Sequence, residues 1–420
     1  MKHIYYNSEK NLSLEKCDLT SIVSRFSTPF YIYSCEEIKK NCQDILSIAA
    51  PLNFLPCYAL KANYNPDLLK IIKQMGFGAD VVSGGELYFA RKIGIPPEKI
   101  VFAGVGKTQD EIRDAVREEI HSLNIESESE LEAVATIARE IGKKATIAIR
   151  VNPDIDPKTH PYISTGLHSN KFGVTKNVAI KLYQKAIKLS HIEPSGIHVH
   201  LGSQIETVNP YIETVAFIKN MLHELKDLGI DIRHIDLGGG IGIDYQHQLN
   251  SDGKPRTYIN EILPGLLKPF IEGNRKVLIE LGRSIIGTAG LLITKVLYIK
   301  NTPQKKFIVV DAAMNNLIRP SLYDAYHQIL PLTSSDKKEE KVDVVGPICE
   351  TSDFFARDRS LPHLNEGDFL AITGAGAYGQ SLSSNYNLRP MIPEYLIEGD
   401  HMHTIFEGES IASIAEKYKF

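Results

Sequence analysis

Eight short apolar runs, each followed by a segment of helical period, occupy the first two-thirds of this 420-residue chain. They are LPCYALK (55–61), GADVVS (78–83), KIVFAG (99–104), HSLNIES (121–127), KKATIAIR (143–150), PSGIHVH (194–200), IRHIDLGGG (232–240) and RKVLIELG (275–282). Between them lie stretches such as NPDLLKIIKQMG, GGELYFARKIG and SESELEAVATIAREIG. Pro, Ser or Thr stands near several helix starts and Gly near several ends, the usual helix punctuation. Strands alternating with helices pack as a parallel sheet, and eight of them predict a (β/α)8 barrel of the TIM type. A doubly wound open sheet is the alternative, because a miscount of one or two strands changes whether the sheet closes.

After about residue 285 the rhythm changes. GLLITKVLYIK, KFIVVDAAM, KVDVVGPIC, GDFLAIT and PEYLIEG read as strands with few long helical segments between them. The chain is therefore expected to be α/β, with a barrel domain over 30–285 and a mostly β domain over 286–420. Part of 1–29 is expected to join the β domain, and PFYIYS (29–34) to pair with it.

Composition narrows the function classes. A net charge of −4 and a pI near 6.4 give no sign of a nucleic-acid or anionic-membrane partner. The sequence has no apolar run long enough to span a bilayer, and MKHIYYNSEKNLSLEK has no signal-peptide core. The five cysteines lack any C-x-x-C spacing, so reduced thiols in a cytoplasmic enzyme are expected.

In such barrels the active site lies at the C-terminal ends of the strands. Read in order, those ends deliver Lys61, Ser83, the pair His198 and His200 followed by LGSQ, the turn Gly238–Gly240, then Glu280 and Arg283. Lys61 on its own reads as a strand-end amine reaching for solvent. The glycines on their own read as a tight turn, though their amides can also close on an anion. The two histidines raise the possibility of a metal site, but no adequate further ligand set is found and no metal is expected. A Schiff-base amine, a ring to stack on a flat cofactor, a phosphate turn and a carboxylate for a pyridine nitrogen each suit a different part of pyridoxal phosphate. GAGAYG (374–379) fits G-x-G-x-x-G, but QSLSSNYNLRP after it is no helix opening, so a dinucleotide site fails its context.

These stretches, with ISTGLHSNKFG (163–173), GPICETSD (346–353) and NYNLRP (385–390), resemble the fold-type III, alanine-racemase-like decarboxylases. Within them the chain is most similar to those acting on diaminopimelate, in family order through most of its length. The resemblance implies that Lys61 attaches pyridoxal 5'-phosphate, His200 stacks on its ring, and Ser203 with Gly239 and Gly240 holds its phosphate. Glu280 would pair with the ring nitrogen, and Arg283 and Tyr378 would also touch the cofactor. Arg283, Arg319, Tyr323 and Tyr378 would bind substrate, Cys349 would return the proton, and Glu350 would contact the distal end of the substrate. A homodimer with shared active sites is implied, with the β domain completing each site. Taken alone, Cys349 reads as a small buried hydrophobe, Tyr378 as turn packing and Arg319 as a surface charge.

Two departures stand out. Leu281 replaces the proline of the family's E-P-G-R, and Thr351–Ser352 follow the Cys–Glu pair where a serine and a small residue are usual. Two arginines suit a second carboxylate and Glu350 a second amine, which favours meso-2,6-diaminopimelate, with L-lysine and carbon dioxide as products. The alternatives are ornithine or arginine decarboxylation, racemisation, a metal-dependent hydrolase and a non-catalytic cofactor-binding regulator.

Overall fold

All eight runs form strands: β1 Phe54–Ala59, β2 Gly78–Val81, β3 Ile100–Phe102, β4 Ser122–Ile125, β5 Ala145–Arg150, β6 Ile192–His198, β7 His234–Asp236 and β8 Lys276–Leu281. Each pairs in parallel with its neighbours, and β8 pairs with β1, so the sheet closes into a barrel and the open-sheet alternative is excluded. The computed structural model describes residues 3–49, 53–156, 171–249 and 258–420; residues 163–170 of ISTGLHSNKFG lie outside them.

Local sequence explains why the crossovers are helical. Asn65 accepts the Asp67 N–H (3.1 Å) ahead of helix Pro66–Gln74, whose first position is proline. Thr108 and Glu111 form a reciprocal capping box at the start of Gln109–Glu118. Ser127 caps Glu128–Ile141, and Gly142 ends it at φ +73°. That helix buries Leu131, Val134, Ile137 and Ala138, one stripe at helical spacing. Inside the barrel, Leu55, Cys57, Val101 and Leu278 form a buried cluster.

Strand β6 tolerates Pro194 because its register against β5 shifts between Pro194 and Gly196, a bulge that relieves the missing amide. Gly196 then faces His234 across the ladder. A Cβ on Gly196 would lie 1.9 Å from His234 Nε2, so the histidine ring occupies the space any larger residue would need. His234 is buried, its ring centroid 4.8 Å from that of His121, which precedes β4. Both mark the N-terminal end of the barrel.

The chain divides into two compact units: Cys42–Ile243 with Pro255–Ser284, and Met1–Asn41 with Asp244–Lys254 and Ile285–Phe420. The second is the β-rich unit. Strand Phe30–Ser34 pairs antiparallel with Gly290–Asn301 and parallel with Glu394–Glu398, so it belongs to this unit. The boundary expected at residue 30 therefore differs: helix Cys35–Ala49 leads from one unit into the other. Phe30, Ile32, Leu291, Ile293, Ala371 and Ile397 share one apolar core there. Strands Phe354–Pro362 and His401–Phe406, and a small sheet of Ile4–Tyr6, Leu12–Leu14 and Cys17–Asp18, were not expected from the sequence. Among the described residues no helix is long and apolar enough to cross a membrane.

Candidate active site

The C-terminal end of the barrel gathers charge. Lys61 does not end β1 itself but sits in the single 3-10 turn Leu60–Ala62 that follows it. Its Nζ lies 3.2 Å from Asp80 Oδ2, where β2 ends, and the lysine side chain stays about one-third exposed while Asp80 is buried. The amine is not simply reaching for solvent but is held by a buried carboxylate at the mouth of the barrel. Ser83 has a simpler task than its strand-end position suggested, capping helix Gly84–Lys92 by accepting the Glu86 N–H.

Strand β6 ends at His198 and His200 follows just outside it, yet both reach one carboxylate. Glu280 Oε1 lies 3.3 Å from His198 Nε2, and Oε2 lies 3.3 Å from His200 Nδ1. The donor atoms of these three residues lie within 4.8 Å of one another. No third ligand is legible beside the histidines in the sequence; the parallel pairing of β6 with β7 and of β7 with β8 brings Glu280 to them. His200 Nδ1 is also within 3.1 Å of the Gly239 N–H, which donates to it, so that nitrogen serves as an acceptor.

Burial pushes the Asp80 carboxyl up to about 6, helped by Glu280 and opposed by Lys61. Burial and the charge of Glu280 raise Asp236, at the end of β7, well above the usual carboxylate range. Burial works against ionisation of Glu280 too, but His198, the foremost of the groups opposing it, holds it well below that range. Glu280 is thus the ionised member of its pair with Asp236. Burial lowers His200 to about 4, leaving a neutral ring at neutral pH.

The glycine turn after β7 is shaped by backbone contact. A Cβ on Gly239 would lie 1.9 Å from the Glu280 carbonyl oxygen, and one on Gly240, at φ +103°, would lie 2.5 Å from that of Gly202. Ile205 donates its N–H to Gly240, fastening the 202–205 loop to the turn. Beside it Arg283 Nη2 donates to Ser203 Oγ (2.9 Å). Leu281, in place of the family proline, is buried and extends β8 into register with Tyr58.

These residues fit pyridoxal phosphate. Glu280 is buried, and its Oε1, 3.3 Å from His198 Nε2, makes no well-formed hydrogen bond among the described residues, which leaves it acceptor capacity for a protonated ring nitrogen. Lys61 offers the attachment amine, and Ser203, Arg283 and the glycine turn offer donors for a phosphate. The neutral His200 suits a stacked ring.

The β-rich unit carries the remaining expected residues. Cys349 is exposed, not a buried hydrophobe, and its N–H donates to Asn387 Oδ1 (2.9 Å). Tyr386 donates its hydroxyl to Glu350 Oε1 (2.6 Å). One loop thus holds both members of the Cys–Glu pair, with Asn387 and Leu388 at φ +54° and +55°. Tyr378 also lies in the left-handed region, at φ +56°, and the GAGAYG segment leads into a single 3-10 turn at Gln380–Leu382, not a helix. Arg319 and Tyr323 bound a five-residue helix, and Arg319 is buried, not a surface charge. Sequence reasoning assigned no role to Asp80, Asp236, Tyr386 or Asn387. The two acids stand at strand ends, GADV and HID, where the same reading could have found them; the loop residues carry no such signal.

Residues 35–287 match the family model described as pyridoxal-dependent decarboxylase, pyridoxal binding domain. A diaminopimelate decarboxylase of Aquifex aeolicus is 48% identical over 96% of this chain and 95% of its own length. One from Vibrio cholerae is 40% identical over 99% and 98%. The crystal structure of diaminopimelate decarboxylase from Helicobacter pylori complexed with L-lysine superposes with a TM-score of 0.89, at 42% identity, over 95% of this chain and 99% of that one. Sequence, barrel and strand-end chemistry agree: the chain belongs to the diaminopimelate decarboxylases, within the pyridoxal-dependent decarboxylase family.

Proposed function

We infer that the chain decarboxylates meso-2,6-diaminopimelate to L-lysine and carbon dioxide, the last step of lysine biosynthesis. The observation that carries this is the joining of Lys61–Asp80 and His198–His200–Glu280 at one end of the barrel, in a chain matched almost end to end by diaminopimelate decarboxylases. Bound pyridoxal phosphate supplies the carbonyl that takes up an amine and the ring that accepts the electrons left by departing carbon dioxide.

The chain's own residues do the rest. Lys61 attaches the cofactor, and Asp80, pushed up to about 6, can take or return a proton at Lys61 Nζ. Ionised Glu280 favours a proton on the ring nitrogen by direct charge pairing. Neutral His200 packs against the ring without adding a positive charge that would compete with that proton. Ser203, Gly239, Gly240 and Arg283 hold the phosphate. Arg283, Arg319, Tyr323 and Tyr378 bind the substrate's charged groups, and Glu350 its second amine. Cys349 Sγ returns a proton to the α-carbon. The enzyme works in the cytoplasm as a homodimer in which Cys349 and Glu350 serve the partner's site.

The direct test is release of carbon dioxide and lysine from meso-diaminopimelate by the wild type and by Lys61→Ala, with cofactor absorbance recorded. Product from the wild type alone supports the reading; none from wild type that carries the cofactor overturns it. Mixing Lys61→Ala with Cys349→Ala tests the shared site. Exchange of subunits should restore roughly a quarter of wild-type activity, because half the dimers are mixed and each has one intact site. No recovery, with exchange demonstrated, would place Cys349 in its own subunit's site.

A further inference from the structure

We propose that His327 and Tyr245 are positioning residues that set the guanidinium of Arg319 for the substrate's second carboxylate. This rests on the reading of Arg319 as a ligand of that carboxylate. All three residues belong to the β-rich unit.

Arg319 Nη1 lies 2.8 Å from His327 Nε2, and the other ring nitrogen, Nδ1, lies 2.8 Å from the Thr373 carbonyl oxygen. A carbonyl can only accept, so Nδ1 carries the proton and Nε2 presents the lone pair that receives the Arg319 N–H. His327 is fully buried, so this tautomer is set by the fold. Tyr245 adds a face: the Arg319 guanidinium carbon lies 4.6 Å from its ring centroid, within cation–π range. The Tyr245 ring stands edge-on to His327 at 5.0 Å, and a Cβ on Gly374 would come within 2.9 Å of it, so the glycine makes room for the stack.

The chemistry of the acceptor matters. A carboxylate in place of His327 would hold the guanidinium equally well but would cancel its charge. A neutral imidazole fixes its plane without itself cancelling the positive charge, which is what preorganised recognition of a carboxylate needs.

The test compares two amine inhibitors of the holoenzyme, L-lysine, which keeps one carboxylate, and cadaverine, which has none. His327→Leu should raise the KM for diaminopimelate and the Ki for lysine about tenfold, the worth of one charge-assisted hydrogen bond, with kcat changed less than the KM. The Ki for cadaverine should hold. His327→Gln, whose amide oxygen can accept from Arg319, should recover most of the lysine affinity. The ratio of the two Ki values does not depend on how much protein is folded, so a loss of stability cannot imitate the effect. Equal rises for lysine and cadaverine, or no rise for lysine while Arg319→Lys produces one, would overturn the proposal. No change in lysine affinity on Arg319→Lys would remove the underlying assignment of Arg319, and this inference with it.

Discussion

The two ends of the barrel bury the same kind of side chain and treat it in opposite ways. At the C-terminal end His198 and His200 lie against the ionised Glu280, with Asp80 and Asp236 close enough to be forced toward their protonated forms. At the N-terminal end His121 and His234 lie against each other, with Ser195 Oγ 3.5 Å from His234 Nδ1. Strand β7 carries both patterns: His234 begins it and Asp236 ends it, two residues apart and both buried. Like charges crowded without full compensation are poor for stability and useful for holding or moving protons. Neutral rings packed together do the reverse. The position along one strand thus decides whether a buried polar residue works for chemistry or for the fold.

Substitutions at the two ends should separate these roles. The largest effect is expected from Glu280→Gln, which removes the negative charge favouring a proton on the cofactor's ring nitrogen. An opposite charge at this range shifts a pKa by about 1–3 units, so kcat/KM should fall about a hundredfold. Because its neighbours favour ionised Glu280, losing that charge costs some stability, offset in part by relief of Asp80 and Asp236, so the urea midpoint should fall only slightly. A fall in midpoint as large as the loss of activity implies would deny the proposed division of labour.

Gly196→Ala should give the mirror image. Its new Cβ has no room beside the His234 ring, and overpacking of this kind costs about 3 kcal/mol or more when neither backbone nor ring can yield. Denaturant unfolding should show the loss, while kcat per folded holoenzyme stays near wild type. An unchanged midpoint would mean that the His234 ring moves freely.

A smaller effect concerns pH. Burial lowers His121 to about 4 in the folded state, against about 6.5 for an unperturbed imidazole. Between those values the unfolded chain binds more protons, so this group's contribution to stability falls as pH drops from about 6.5 toward 4. His121→Gln should flatten that part of the stability profile measured by urea unfolding at pH 7, 6 and 5. Identical slopes in wild type and variant would show that His121 takes up its proton without cost.

Much of this arrangement could be read from the chain. The barrel strands are legible because VVS, VFAG, TIAIR and VLIEL are compact apolar runs bounded by turn residues, and helical spacing fills the gaps. Lys61, His200, Gly239, Gly240 and Glu280 follow from asking what stands at each strand end. Phe354–Pro362 escaped notice because Arg357, Asp358 and Arg359 break its apolar pattern. The sheet of Ile4–Tyr6, Leu12–Leu14 and Cys17–Asp18 has strands of two or three residues, too short for any period to show. His327 and Tyr245 gave no signal, because they meet Arg319 only through tertiary contacts that neither composition nor spacing encodes.

The placement of Phe30–Ser34 has a consequence for biosynthesis. This strand is made early, yet its parallel neighbour begins at Glu394, pairing with Tyr31. At roughly 5–20 residues per second, tens of seconds of translation separate the two partners. The barrel unit has all its strands by Leu281 and can assemble on the ribosome. The β-rich unit must wait longer: its early strand meets its first neighbour, Gly290–Asn301, only after the barrel strands are made, and keeps one edge open until Glu394–Glu398 has emerged.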